Sequence, residues 1–233
     1  MIYTESTSIF PSYIKEPLNY NPEKTYLVII GLHGGGGTPK SMLNLWDEIE
    51  ATNFIYVVPQ ALFTMSTDDG IRFDWLNWPS GDDQLVKKSF TLSENYIVDL
   101  IKNISKNYNV EGIYLAGFSQ GAIITYFAGI KNPSLIKGLI VMSGPGLLAP
   151  LNNPFGKSSS SNWVAARDIE IASKLRIFIS HGKNDVNAKV DLASKSAEIL
   201  SNYKHETTLR LFDGVHELPP KLVLTEIIKW LEF

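Results

Sequence analysis

Short apolar runs, glycine-bearing turns and helix-period stretches follow one another along this chain. Tyr26–Ile30 is the first run that reads as a strand, and it closes on a glycine-rich turn at positions 31–37. A run this short with no polar alternation fits a strand buried on both faces. Pro39 then opens a helix pattern through Met42, Leu43, Trp46 and Ile49, with Thr38 placed to cap it. Phe54–Val58 is the next β-branched run, and Leu92–Ile104 repeats apolar residues at helical spacing. Gly112–Ala116 reads as a strand leading into Gly117, and Ala122–Ile130 as the helix that follows. Leu139–Met142, Arg176–Ser180 and Thr207–Phe212 are further strands, with helix patterns over Val190–Tyr203 and Leu222–Leu231. Strands alternating with helices predict an α/β fold with a mainly parallel central sheet and helices on both faces. One or two antiparallel strands are expected before Tyr26, among Pro11, Pro17 and Pro22.

Two stretches break this rhythm. The connection 59–90 carries Phe73, Trp75 and Trp78, and the connection 144–162 carries three prolines and the serines 158–161. Long connections inside a compact domain usually serve a site, so 144–162 is expected to form a flap beside it. Its Leu147, Leu148, Leu151 and Phe155 either floor a groove or anchor the connection.

Composition narrows the classes. With 233 residues the chain fits one domain over 1–233, large enough to need no covalent staple. The absence of Cys excludes disulfide scaffolds, iron–sulfur clusters and cysteine nucleophiles. A net charge of −3 lacks the basic surplus of a nucleic-acid binder. No apolar run near the start approaches the roughly 18 residues of a membrane helix, and the first ten residues show no secretory signal pattern. A soluble, cytoplasmic protein is expected, with no membrane insertion.

The candidate chemistry centres on Gly117-Phe118-Ser119-Gln120-Gly121. The pattern G-x-S-x-G is not rare by composition, but here it stands between a strand and a helix. Small residues on both sides permit the sharp turn that lifts a serine Oγ clear of the sheet. A serine hydroxyl needs a base, and the chain has four histidines. His216 follows the last strand and is the candidate base. His33 and His181 each precede a glycine at a strand end, where a packed, hydrogen-bonded imidazole is expected; His205, in Lys204-His205-Glu206, reads as a surface residue. The carboxylate that fixes the imidazole tautomer is assigned to Asp185, which follows the strand 176–180, with Asp213 as its rival. An oxyanion requires backbone N–H donors. Gln120 offers one, and the glycines 34–37 offer a second; no Lys-Ser/Thr pair makes that loop a phosphate loop.

Taken together, these residues resemble the carboxylesterase/phospholipase branch of the α/β-hydrolases, the group that includes acyl-protein thioesterases. The resemblance rests on Leu32-His33-Gly34, Pro59-Gln60, Phe73-Asp74, Gly117-Phe118-Ser119-Gln120-Gly121-Ala122, His181-Gly182 with Asp185, and His216. It implies an α/β-hydrolase fold, a triad of Ser119, Asp185 and His216, and oxyanion donors at Gly35 and Gln120. It also implies hydrolysis of carboxylic esters through an acyl-enzyme, with no cofactor and no metal. Phe73, Trp75 and Trp78 are either a substrate-binding wall or aromatics that pin their own loop. Small to medium esters are the first expectation, thioesters or lysophospholipids the alternative. A ligand-binding protein on a hydrolase scaffold would commonly have lost a triad member, and all three are present here. Partners beyond a small-molecule ester are not expected, save a homodimer as the one assembly left open. Gly35 stands where the family often has a bulkier apolar residue, so extra room is expected near the scissile carbonyl.

Overall fold

The computed structural model describes residues 8–47, 49, 53–147, 151–152, 159–160, 163–172 and 174–231. In chain order the elements are β1 (Ser12–Lys15), β2 (Tyr26–Leu32), α1 (Pro39–Leu43), β3 (Phe54–Pro59), β4 (Phe63–Thr67), β5 (Gly70–Asp74), α2 (Asp83–Asn107) and β6 (Val110–Phe118). They continue with α3 (Gln120–Lys131), β7 (Gly138–Met142), β8 (Leu151–Asn152), β9 (Ser159–Ser160), α4 (Ala166–Ile171), β10 (Arg176–Gly182), α5 (Val190–Asn202), β11 (Glu206–Phe212) and α6 (Lys221–Leu231).

A seven-stranded sheet runs in the order β1-β3-β2-β6-β7-β10-β11, with β1 antiparallel to β3 and the other pairs parallel. The apolar runs lack polar alternation because both faces are covered. Val28 and Ile30 on β2, Leu115 on β6 and Val141 on β7 point into one core, together with Ile97 of α2, Ile124 of α3, Ile169 of α4 and Leu200 of α5. Ile29, Ala116, Ile140 and Phe178 point into the other, where Met42 of α1 and Ile227 of α6 meet them. Truncating such a fully buried isoleucine to alanine removes both transfer energy and packing, about 2–5 kcal/mol.

The structure departs from the sequence expectations in α1, which stops at Leu43 short of Trp46 and Ile49, in α2, in the connection 59–90, and in α4, which no pattern announced. α2 begins at Asp83, nine residues before the predicted start, with the Asp82 side chain accepting from Gln84 N (2.8 Å) and Leu85 N (3.3 Å) as N-cap. Its inward face there carries the buried Ser89, Ser93 and Glu94, so the apolar stripe is interrupted while the helix is not. The connection 59–90 contains the antiparallel hairpin β4–β5, turning at Asp68-Asp69. Gly70, which opens β5, takes φ 113°, a conformation glycine adopts without strain. Thr38 does occupy the N-cap position of α1, but its side chain makes no capping bond; Ser41 Oγ donates to the Thr38 carbonyl instead (2.6 Å).

Of the predicted flap, residues 148–150, 153–158 and 161–162 lie outside the described residues, Leu148 and Phe155 among them. Leu147 is fully buried in the first core, with its N–H bonded to Ser196 Oγ (2.8 Å), so at that position the connection is anchored. Among the described residues no helix is long and apolar enough to cross a membrane.

Candidate active site

The candidate residues gather at the carboxyl ends of β2, β6, β10 and β11, where parallel sheets present their loops. β6 enters α3 through Ser119, whose backbone sits at φ 53°, ψ −115°. Positive φ at a non-glycine residue is costly, and the turn around it is correspondingly tight. A Cβ at Gly117 would strike the Gly121 carbonyl, and one at Gly121 would strike the Leu32 carbonyl. Glycine is therefore required at both flanks. Ser119 N–H bonds to Met142 O (3.0 Å), which ties the turn to β7.

β10 and β11 pair in register as far as Gly182 opposite Phe212, so the loops leaving them run side by side. Asp185 lies on the first loop and His216 on the second. His216 Nδ1 is 2.7 Å from Asp185 Oδ2, and its Nε2 is 2.9 Å from Ser119 Oγ. With the Nδ1 proton donated to the carboxylate, Nε2 is left to accept from the serine hydroxyl. The Asp185 side chain is fully buried, and its Oδ1 accepts from Asn187 N and Ala188 N, each at 2.8 Å. His181 Nε2 lies 3.2 Å from Oδ2 while also contacting Ala188 O (2.6 Å). A buried carboxylate surrounded by donors meets the demand that buried charge be hydrogen-bonded. The rival Asp213 is exposed and paired with Lys183 Nζ (2.7 Å), a bond that holds its carboxyl below the usual carboxylate range. The structure thus brings Ser119, His216 and Asp185 together and leaves Asp213 outside.

The glycine loop after β2 lies against the elbow: a Cβ at Gly34 would stand 3.4 Å from Ser119 Cβ. Gly37 N–H bonds back to Gly34 O (3.1 Å), and Gly36 takes φ 62°. Gly36 N–H donates to Asp74 Oδ1 (2.8 Å), the Gln120 side chain also bonds Asp74, and Gln120 Oε1 accepts from Trp75 N (2.6 Å). Burial pushes the Asp74 carboxyl up, and these two bonds pull it partly back. The space a Cβ would take at Gly35 is bounded by Gln120 Nε2 (2.9 Å) and Asp74 Oδ1 (3.0 Å). The expected extra room is therefore absent, because the Gln120 amide and the Asp74 carboxylate fill it.

Trp75 is fully buried, donates its indole N–H to His33 O (2.8 Å) and stacks near Tyr96; Trp78 is 7% exposed in the same core. Both pin the connection, and the wall reading fails for them. Phe73 is half-buried and bonds Gly37 O through its N–H (3.0 Å). His33 and His181 are fully buried, as expected of packed imidazoles. His33 Nδ1 meets Gly34 O at 2.8 Å and its Nε2 accepts from Ala61 N at 3.3 Å; burial lowers its proton affinity. His205 overturns the surface reading. It is 5% exposed, with Nε2 bonded to Ile169 O (2.9 Å) beneath α4, a helix the sequence pattern did not announce.

Two residues near the site were given no role in sequence. Asp74 entered only through the Phe73-Asp74 pair of the resemblance. Ser143, fully buried at φ 46°, donates its hydroxyl to Glu217 O (2.9 Å) and so pins the loop that carries His216. Among the described residues no group of three or more His, Asp or Glu side chains could hold a metal ion.

Comparison with known proteins follows this geometry. The family model described as phospholipase/carboxylesterase matches residues 19–233. Acyl-protein thioesterase 1 of Saccharomyces cerevisiae is 26% identical over 186 residues, covering 73% of this chain and 75% of that protein. Among solved structures, esterase PE8 superposes with a TM-score of 0.72 at 17% identity, covering 96% of this chain and 98% of its own. The Bacillus cereus carboxylesterase gives a TM-score of 0.67 at 14% identity, covering 97% and 94%. At those identities the two structures speak to the fold, which is that of α/β-hydrolase esterases.

Proposed function

The chain belongs to the phospholipase/carboxylesterase family and is a serine hydrolase, and from that premise we propose that it hydrolyses small to medium carboxylic esters by acylation of Ser119. The observation that carries this reading is the hydrogen-bonded series from Ser119 Oγ through His216 (2.9 Å) to Asp185 (2.7 Å). In the first half-reaction Ser119 Oγ attacks the ester carbonyl carbon while His216 Nε2 takes the hydroxyl proton. Asp185 stabilises the imidazolium so formed. The carbonyl oxygen becomes an oxyanion facing the N–H groups of Gly35 and Gln120, which are donors with no reorganisation to undergo. Collapse of this intermediate releases the alcohol, which leaves with the proton from His216. Water then attacks the acyl-enzyme, again giving its proton to His216, and the acid departs as Ser119 Oγ is reprotonated. The first N–H groups of a helix have no intrahelical partner, which supports Gln120 in this role. Phe73, half-buried next to the glycine loop, is the proposed aromatic contact for the acyl group. We read 1–233 as one catalytic domain working in the cytoplasm.

A second reading, hydrolysis of thioesters by the same residues, is favoured by the relative named acyl-protein thioesterase. One experiment addresses both. A serine-directed fluorophosphonate is expected to label the peptide containing Ser119, and Ser119→Ala to abolish labelling and ester turnover while the protein stays folded. Labelling elsewhere rejects the mechanism. Matched oxygen and thiol esters of increasing acyl length then rank the substrates; a preference for long-chain thioesters would select the second reading and leave the nucleophile standing.

A further inference from the structure

An oxyanion hole works only if its donors are fixed relative to each other before the charge develops. Here the two proposed donors come from different strands: Gly35 from the loop after β2, Gln120 from the elbow after β6. The loop bearing Gly35 is four consecutive glycines, so it has no side chains with which to anchor itself. Its position must be imposed from outside.

The outside contact that reaches both donors is Asp74, at the end of β5. Asp74 is 4% exposed, and its carboxylate accepts the Gly36 N–H at 2.8 Å and bonds the side chain of Gln120. One group therefore touches the residue next to one donor and the side chain of the other donor. The chain of polarity extends further, since Gln120 Oε1 accepts the Trp75 N–H at 2.6 Å, leaving its Nε2 to face Asp74. Both partners of Asp74 present N–H groups, so the position calls for a group that only accepts. An asparagine there would turn an NH2 towards one of two donors. Flipping Gln120 to receive it would set a second NH2 against the Trp75 N–H. The hairpin β4–β5 supports the same loop from its own backbone, through Phe73 N–H to Gly37 O (3.0 Å).

We propose that Asp74 is a positioning residue for the oxyanion hole, its carboxylate clamping the Gly36 amide and the Gln120 side chain so that the Gly35 and Gln120 N–H groups converge on one oxygen. The inference rests on the acyl-enzyme reading above. Asp74 touches no reacting atom; it acts through Gly35 and Gln120.

The test uses the full chain with a p-nitrophenyl ester. Asp74→Asn is expected to lower kcat by roughly 30–300-fold with KM unchanged within about twofold, the pattern of an interaction made only in the transition state. Gln120→Ala keeps its main-chain N–H but loses the bridging amide, and is expected to fall in the same range. The double variant should be no more than about threefold worse than the weaker single variant, because the two act as one clamp. The shape of the pH profile of kcat/KM should stay as in the wild type in all three. Second-order labelling of Ser119 by a fluorophosphonate should slow in parallel with kcat. If Asp74→Asn does not fold, Gln120→Ala carries the same expectation alone. A kcat within threefold of wild type, a rise in KM at unchanged kcat, or multiplicative losses in the double variant would overturn the proposal while labelling still marks Ser119. Wild-type labelling away from Ser119 would instead reject the acyl-enzyme reading, and this inference with it.

Discussion

The two flanks of Ser119 are held in different ways. On the base side, backbone bonds between and within neighbouring loops set the geometry: Lys183 N to Phe212 O (2.9 Å) and Asn184 N to Gly214 O (2.9 Å) join the two, and Asp185 N to Gly182 O (3.2 Å) closes the first. These follow almost directly from the pairing of β10 with β11. On the oxyanion side, the fixing contacts come from side chains and indoles 38, 42 and 45 residues away in sequence. The base side inherits its order from the sheet, whereas the oxyanion side depends on a hairpin inserted between β3 and α2. Removing one side chain should therefore disturb the oxyanion side through position, and the base side mainly through chemistry.

The largest expected effect on the base side tests that distinction. Asp185→Asn preserves size and the bonds from Asn187 and Ala188 but favours the wrong tautomer of His216. We expect kcat to fall on the order of 10⁴-fold, as when other triads lose this charge. Asp213→Asn, which removes only an exposed pair with Lys183, should change kcat less than about twofold, since exposed pairs contribute little. Steady-state kinetics of both variants on one ester check the ranking; the reverse order would reassign the acid.

The same contrast explains what could be read from the sequence. Ser119 stands directly after β6, and Asp185 and His216 stand on the loops that follow β10 and β11, in local patterns whose spacing carries their chemistry. The glycines 34–37 were legible as a loop of close backbone approach. What held that loop was not legible, because nothing in the neighbourhood of Asp74 reveals a partner 38 residues away. Gly35 misled for the same reason: a missing side chain predicts room only if no distant residue fills it, and Gln120 and Asp74 do. The early turns of α2 were hidden by inward serines, which bond backbone instead of packing as hydrocarbon. One of them, Ser93, donates to Trp75 O (2.6 Å) and thereby helps seat the connection.

A smaller effect should separate hydrogen bonding from backbone strain on the base side. Ser143→Ala deprives Glu217 O of its hydroxyl donor and keeps a side chain at φ 46°. Losing a buried hydrogen bond costs about 1–2 kcal/mol, and we expect kcat to fall about five- to tenfold as the His216 loop loosens. Ser143→Gly removes the same donor but relieves the strain, worth roughly 1 kcal/mol at a left-handed position. The two variants should share the kinetic defect while the glycine variant melts higher. Equal melting temperatures with wild-type kcat in both would deny Ser143 its role in seating the base.

The smallest effect concerns stability and its dependence on pH. Burial lowers the proton affinity of His33, on the oxyanion side, and of His205, at the opposite end of β11 from His216. Their folded-state values lie below the ordinary 6.5, so the unfolded chain binds protons first as pH falls. Stability from these two groups is complete above about pH 6.5 and is lost as pH drops from there towards the folded-state values. His205→Gln keeps a donor for Ile169 O but does not titrate. Between pH 8 and pH 5.5 its melting temperature should therefore fall less than that of the wild type, with kcat at pH 8 unchanged. The loss that remains belongs in part to His33, whose Nδ1 meets Gly34 O within the glycine loop. If His205→Gln tracks the wild type across the whole pH range, burial under α4 is not what governs this histidine, and the acid sensitivity must be sought on the oxyanion side alone.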